Sequence, residues 1–150
     1  MADNEYWMRY ALKLANYALQ VGEVPVGAVL VRSNKILSEG WNCSIKSHDP
    51  TGHAEILALR RAGIALKNYR LLNTTLYVTL EPCMMCIGAI VHSRIKHLVF
   101  GARENTFRTA SFLLKQTDLF NHQVKITGDI LNVDCANLLK NFFKHRRHKQ

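Results

Sequence analysis

Two short segments carry the residues best able to do chemistry: His53-Ala54-Glu55 and Glu81-Pro82-Cys83-Met84-Met85-Cys86. Two thiolates and an imidazole are a donor set suited to zinc. Cys83 and Cys86 stand three apart, and at the start of a helix that spacing puts both sulfurs on one face, a turn apart. The partial positive charge of a helix N-terminus lowers a thiol's pKa and favours the thiolate a metal needs. Pro82 pre-sets the chain entering that helix. His53 stands at the start of another helical pattern. The N-termini of two helices that follow strands of one sheet can converge at one sheet end.

Each piece alone carries little. A lone Cys-x-x-Cys is as readily a redox pair or a chance buried pair. His53 alone would cap a helix, and Glu55 alone would be a solvated helix residue. Cys43 and Cys135 have no partner at ligand spacing, and His48, His92 and His97 lack a local context. The joint pattern is far less frequent by chance: a His, a Glu two residues on, then Pro-Cys-x-x-Cys in front of a later helix. Three donors leave a fourth tetrahedral position for water, as in catalytic rather than structural zinc sites. Glu55 is then the proton carrier beside that water, with His53, Cys83 and Cys86 as the ligands of one Zn2+.

The elements that must position these groups follow from hydrophobic periodicity. Trp7, Tyr10, Ala11, Leu14, Ala18 and Val21 predict a first helix that Gly22 stops. Val24 to Val31 reads as a buried strand, Ser33-Asn34 as a turn and Ile36 to Trp41 as the second strand of a hairpin. A polar loop from Asn42 to Gly52 leads to His53 and a helix marked by Ile56, Leu59, Ala62, Gly63 and Leu66. Strands are expected at Thr75 to Leu80, Ile95 to Phe100 and Gln123 to Thr127. Helices are expected at Cys83 to His92 and Thr109 to Phe120, with Leu138, Leu139, Phe142 and Phe143 as the apolar face of a last one. A hairpin followed by strand–helix alternation implies an α/β fold, one mixed sheet with helices on both faces.

The chain has 150 residues, one domain's worth, with 48% hydrophobic and 21% charged residues. Sparse Gly and Pro exclude collagen-like and low-complexity classes. No apolar run approaches the length of a transmembrane helix, and the acid-bearing start Met1-Ala2-Asp3-Asn4-Glu5 is unlike a signal peptide. A cytoplasmic protein is expected, with its four cysteines as metal ligands or buried thiols. Twenty basic and eleven acidic residues give a net charge of +9. From Cys135 to Gln150 there is no acid, while Lys140, Lys144, Arg146, Arg147 and Lys149 supply cations for contacts with a polyanion such as RNA.

Zinc nucleobase deaminases, the tRNA enzymes among them, carry a His-x-Glu and Pro-Cys-x-x-Cys signature. With it the chain resembles the cytidine-deaminase-like superfamily and, within that, the bacterial tRNA-specific adenosine deaminases. The strings that point to the tRNA branch include Glu5-Tyr6-Trp7-Met8, Glu23-Val24-Pro25-Val26-Gly27-Ala28-Val29, Gly40-Trp41-Asn42, His48-Asp49-Pro50-Thr51, Asn68-Tyr69-Arg70-Leu71, His92-Ser93-Arg94-Ile95 and Gly101-Ala102-Arg103. The resemblance covers nearly the whole chain. It implies a three-layer α/β/α fold around a five-stranded mixed sheet, spanning residues 1–150 as a single zinc-dependent deaminase domain. It implies a homodimer that converts adenosine to inosine at the wobble position of an arginine tRNA anticodon. It also implies that Asn42 hydrogen-bonds the substrate nucleoside, that Val26 lines the pocket and that the backbone near Ala54 and Cys83 contacts the base or the water. Arg103 and Glu104 join this substrate-binding set, at the start of a loop expected near the nucleotides flanking the target. The chain departs from the family there: a Lys-Thr/Ser-Gly stretch usually follows soon, whereas this chain reads Glu104-Asn105-Thr106-Phe107-Arg108-Thr109.

Two rival readings share parts of this pattern. A deaminase of a free base or nucleoside, such as cytosine, cytidine or guanine, carries the same metal motif without needing a basic tail. A zinc-stabilised RNA-binding protein without catalysis keeps the tail but has no use for a carboxylate beside an open metal position.

Overall fold

A computed structural model describes residues 2–104, 109–115 and 122–148. The elements run α1 (Asn4–Gln20), β1 (Gly27–Arg32), β2 (Lys35–Trp41), α2 (Ala54–Leu66), β3 (Thr75–Leu80), α3 (Met84–His92), β4 (His97–Ala102), α4 (Ala110–Leu113), β5 (Lys125–Thr127) and α5 (Asn132–His148). The sheet order is β2-β1-β3-β4-β5. β1 is antiparallel to both β2 and β3, while β3, β4 and β5 are parallel. The expected five-stranded mixed sheet is therefore present.

Strand register assigns the helices to faces. Ala28 pairs with Gly40 and with Val78, so these three share one face, and Gly27 lies on the other. A Cβ on Gly27 would stand 2.1 Å from the Ala11 carbonyl oxygen of α1, and one on Gly40 would stand 2.1 Å from the Ala54 carbonyl oxygen of α2. α1 and α2 thus cover opposite faces. α3 packs beside α2. α5 joins α1, because a Cβ on Gly101 would meet the Cys135 sulfur. The result is three layers, α/β/α.

Local chemistry explains the boundaries. The Asp3 carboxylate caps α1 by accepting from the Tyr6 N–H at 2.9 Å. Gly22, at φ +85°, follows its C-terminus. The strand expected from Val24 begins only at Gly27, because Pro25 has no N–H and the Val26 N–H turns back to the Val24 carbonyl at 2.9 Å. Ser33 and Asn34, at φ 52° and 61°, form the tight hairpin turn. β4 starts later than Ile95, whose N–H is used by the Ile90 carbonyl closing α3. The helix expected over Thr109 to Phe120 ends at Leu113 among the described residues; residues 116–120 lie outside them. On α5 the inward positions are Cys135 and Leu139, with Leu138 and Phe142 half-buried. Phe143, expected on the apolar face, is 48% exposed, because a one-residue step along a helix turns it about 100° from Phe142.

The Gly40 contact is a testable constraint. Gly40→Ala drives a methyl into the Ala54 carbonyl and toward the Ala58 N–H, backbone atoms that cannot swing aside. The expected cost is about 1–3 kcal/mol in urea unfolding. Turnover should fall as well, because the first turn of α2 carries both His53 and Glu55. An unchanged unfolding midpoint would contradict this packing.

Candidate metal and catalytic site

The sheet topology gathers the chemistry at one end. β2 runs in the same direction as β3 and β4, so their C-terminal ends lie together with the N-terminal end of β1. Val26 precedes β1, Asn42 follows β2, Glu81 to Cys83 follow β3, and Arg103 and Glu104 follow β4. Ligands bind at such strand ends in open α/β sheets.

His53 is the N-cap residue of α2 and Cys83 the N-cap residue of α3, and neither side chain makes a capping hydrogen bond. Instead both face inward. His53 Nδ1 lies 3.6 Å from Cys83 Sγ and 3.6 Å from Cys86 Sγ. All three donor atoms lie within 4.8 Å of one another, the only such cluster of metal-ligating side chains among the described residues. Zinc bonds of about 2.3 Å to sulfur and 2.0–2.1 Å to nitrogen at a tetrahedral angle demand a sulfur–nitrogen separation of about 3.6 Å. The imidazole nitrogen therefore already stands at zinc spacing from each sulfur.

The electrostatics suit the same reading. The Cys83 thiol is lowered to about 3, first by the hydrogen bond from Cys86 and then by His53, against the opposing effect of burial. Cys86 is pushed up by its role as donor to Cys83 and by burial. His53 is raised, chiefly by its hydrogen bond to Cys83. The trio holds protons that a divalent cation would displace. Glu55, 4% exposed, is raised because burial penalises its carboxylate.

A cavity of about 530 Å³ opens onto this cluster. Its walls include Val24, Val26, Asn42, Glu55, Glu104 and Thr109, together with His53 and Cys83. Asn42 has a double position: its Oδ1 accepts from the Ala54 N–H at 2.8 Å, capping α2, which leaves its amide NH2 as the donor available to a ligand. The same bond commits the Ala54 N–H, so that donor does not face the pocket, and Ala54 is fully buried. Arg103 is not brought to the cavity either. It pairs with Asp129 at 2.9 Å and donates to Ser111 Oγ at 3.2 Å, because a carboxylate on the β5–α5 connection offers it a two-point partner. Lys140, Lys144 and Arg146 are exposed on α5 and outside the cavity lining. Lys149 and the side chain of Arg147 lie outside the described residues.

The sequence assigned no role to two acids that prove to be buried. Glu23, 2% exposed, accepts from the Ile45 and Lys46 N–H groups at 3.0 and 2.8 Å and so fixes the loop behind Asn42. Glu81, 3% exposed, holds main-chain donors on the opposite side of the pocket. The signal in the sequence was faint: an acid directly before an apolar strand or a Pro-Cys pair, where ordinary surface acids also occur.

Comparisons with known proteins agree with this geometry. Residues 1–102 match the family described as the cytidine and deoxycytidylate deaminase zinc-binding region. The chain is 54% identical over 145 residues to a tRNA-specific adenosine deaminase of Buchnera aphidicola subsp. Schizaphis graminum, covering 96% of each protein. It is 51% identical over 152 residues to one from Haemophilus influenzae, covering 98% of this chain and 87% of the relative. A solved structure from "Biochemical and Structural Studies of A-to-I Editing by tRNA:A34 Deaminases at the Wobble Position of Transfer RNA" superposes with a TM-score of 0.84 at 34% identity, covering 89% of this chain and 98% of that one. With three zinc donors gathered within 4.8 Å, a buried glutamate beside them and these relatives along nearly its whole length, the chain belongs to the zinc-dependent cytidine and deoxycytidylate deaminase family, in its tRNA-specific adenosine deaminase branch.

Proposed function

We propose that the chain hydrolytically deaminates adenosine to inosine at the wobble position of tRNA, with an arginine tRNA as its substrate. The observation that carries this reading is the buried Glu55 carboxyl in the wall of the same pocket as the three-donor zinc cluster. The zinc-binding family match and the tRNA-specific relatives support the choice of reaction and polymer.

His53, Cys83 and Cys86 would hold one zinc ion, which supplies the Lewis acidity that brings water's pKa down toward about 7. Glu55 then accepts one proton of the attacking water and delivers it to N1 of the adenine ring; it takes the second from the hydroxyl so formed at C6 and gives it to the amine, which departs as ammonia when the C6–N bond breaks. Burial excludes bulk water from this carboxyl, so the proton it carries stays in the pocket. Asn42 donates from its amide to the nucleoside, Val26 packs on the base, and Glu104 borders the entrance. The main chain near Cys83 abuts the reacting group, and Arg103 braces the loop beside it. A stacked anticodon base cannot reach the buried carboxyl, so the adenosine enters splayed out from its neighbours.

The whole of residues 1–150 is read as one deaminase domain, and the assembly as a homodimer. The homodimer is supported by a second, larger groove of about 760 Å³ along the outer side of α2 and α3, next to Ile64 at 79% exposure and Tyr69 at 69%. Sedimentation of the purified protein reads the assembly directly, and a concentration-independent monomer would reject it. No helix among the described residues is long and apolar enough to cross a membrane, and a tRNA substrate would place the enzyme in the cytoplasm.

The test of the reaction is inosine formation. Zinc-loaded protein should convert the wobble adenosine of an arginine tRNA and leave free adenosine, cytidine, cytosine and guanine largely unreacted. Turnover of a free base or nucleoside with none of tRNA would reverse the assignment. Binding of tRNA with no inosine formed would favour an RNA-binding protein.

The basic tail gives a separate expectation. Replacing Lys140, Lys144 and Arg146 by Gln leaves the buried Cys135 and Leu139 untouched, so α5 should remain docked. If all three meet phosphates, the salt slope of tRNA binding should fall by about 2–3 units, at somewhat under one unit per contact. Turnover at saturating tRNA should stay near wild type. An unchanged slope would make this face a solubility feature.

A further inference from the structure

Glu81 follows β3 directly, and its own N–H donates to the Ala102 carbonyl at 2.8 Å, prolonging the pairing of β3 with β4. Its side chain reaches past the end of β4. Oε1 accepts from the Glu104 N–H at 3.1 Å, and Oε2 accepts from the Ser111 N–H at 2.8 Å. Glu104 is one of these anchor points and Thr109 lies two residues before the other, and both line the pocket, as Glu81 itself does from behind its two hydrogen bonds. Arg103 braces the same place from outside through Asp129 and Ser111 Oγ.

We propose that Glu81 is a positioning residue for substrate binding, whose carboxylate holds Glu104 and Thr109 as the pocket wall against which the nucleotides beside the reacting adenosine pack. The proposal rests on the tRNA-deaminase reading above. With an amide N–H donating to each oxygen, the carboxylate is engaged in holding main chain rather than in moving protons. A carboxylate in a buried position is unfavourable unless it is hydrogen-bonded, and packing alone would be served better by an apolar side chain. Its partners are main-chain N–H groups, which depend little on which side chains follow. The clamp fixes the backbone at Glu104 and at Ser111 whatever side chains those positions carry.

The experiment uses zinc-loaded full-length protein and an anticodon stem-loop carrying adenosine at the wobble position. Glu81→Gln keeps the side chain's size but turns an NH2 group toward one of the two amides, leaving that N–H unpaired. A hydrogen bond to a charged group is worth about 10- to 100-fold in an equilibrium. The expected result is a KM raised by about tenfold or more, kcat close to wild type and unchanged zinc content. An unchanged KM overturns the proposal, as does a fall in kcat with loss of zinc, which would make Glu81 part of the metal site's support. If Glu81→Gln does not fold, Asp129→Asn, at a half-exposed position, releases Arg103 and loosens the same wall from outside. A raised KM with wild-type kcat then supports the proposal, and an unchanged KM overturns it. Absence of inosine with the wild-type protein overturns the functional reading itself, so the two failures are distinguishable.

Discussion

Glu55→Gln should leave zinc stoichiometric and the fold intact while lowering turnover of tRNA by about 10²–10⁴-fold, the usual worth of general acid–base catalysis, and by more if both of its proton transfers are lost. The amide matches the carboxyl in size, so the buried site is not emptied and no cavity cost arises. It does not shuttle protons, and that function is removed alone. Stability should move in the opposite direction from activity. Burial raises the Glu55 pKa, so the folded protein favours the protonated acid. The stability this contributes is present below the ordinary glutamate value of about 4.3 and is lost as pH rises through the raised value. The neutral amide has no such dependence. Relative to wild type, the variant should therefore gain stability as pH rises above about 4.3, levelling off once the wild-type carboxyl is ionised. Urea midpoints for both proteins after zinc is removed by chelation, together with single-turnover rates of the zinc-loaded proteins, read the two effects. Wild-type turnover in a zinc-loaded variant would remove Glu55 from the chemistry.

The contrast between Glu55 and Glu81 shows how much of the site the sequence disclosed. His53, Cys83 and Cys86 were legible because metal ligation demands particular residue types at particular spacings, and helix starts could be placed from Pro82 and the apolar period that follows. The order of the ten elements among the described residues was legible from apolar periods, run lengths and the turn residues between them. Glu23 and Glu81 were not legible. Their partners are main-chain N–H groups more than twenty residues away, and main chain leaves no trace in a sequence. Arg103 shows the converse. Family strings place it beside the pocket, but Asp129, which holds it, comes from the β5–α5 connection with no pattern linking the two. Phe143 shows the limit of counting apolar residues near a chain end. Adjacent helical positions cannot both face the core, and Cys135 and Leu139 already define the inward stripe.

Replacing any one zinc donor should cost the metal and the activity together, with Cys86→Ser, Cys83→Ser and His53→Ala each falling from about one zinc per chain to near none. The three donors form a complete tetrahedral face with nothing redundant: no other His or Cys among the described residues joins the cluster. Cys43 is half-buried elsewhere, and Cys135 is buried on the inner face of α5 against Gly101. Loss of stability should be partial. Metal binding is coupled to folding, and removing the metal removes the stabilisation its occupancy confers. The sheet nevertheless has a core of its own in Leu30, Leu76, Val78, Leu98 and Phe100, all fully buried, so the variants should fold with a lowered Tm. Chelation should bring the wild-type protein down to the Tm of the variants and leave theirs unchanged. The protonation pattern adds a further check. Cys86 keeps its proton in the metal-free trio, and His53 holds one more strongly than an ordinary imidazole. Zinc must displace these protons to bind. Calorimetry in buffers of different ionisation enthalpy should therefore show proton release on zinc binding, with affinity weakening as pH falls. Stoichiometric zinc in any of the three variants would take that residue out of the coordination set, and zinc uptake without proton release would contradict the hydrogen-bonded trio from which the site is built.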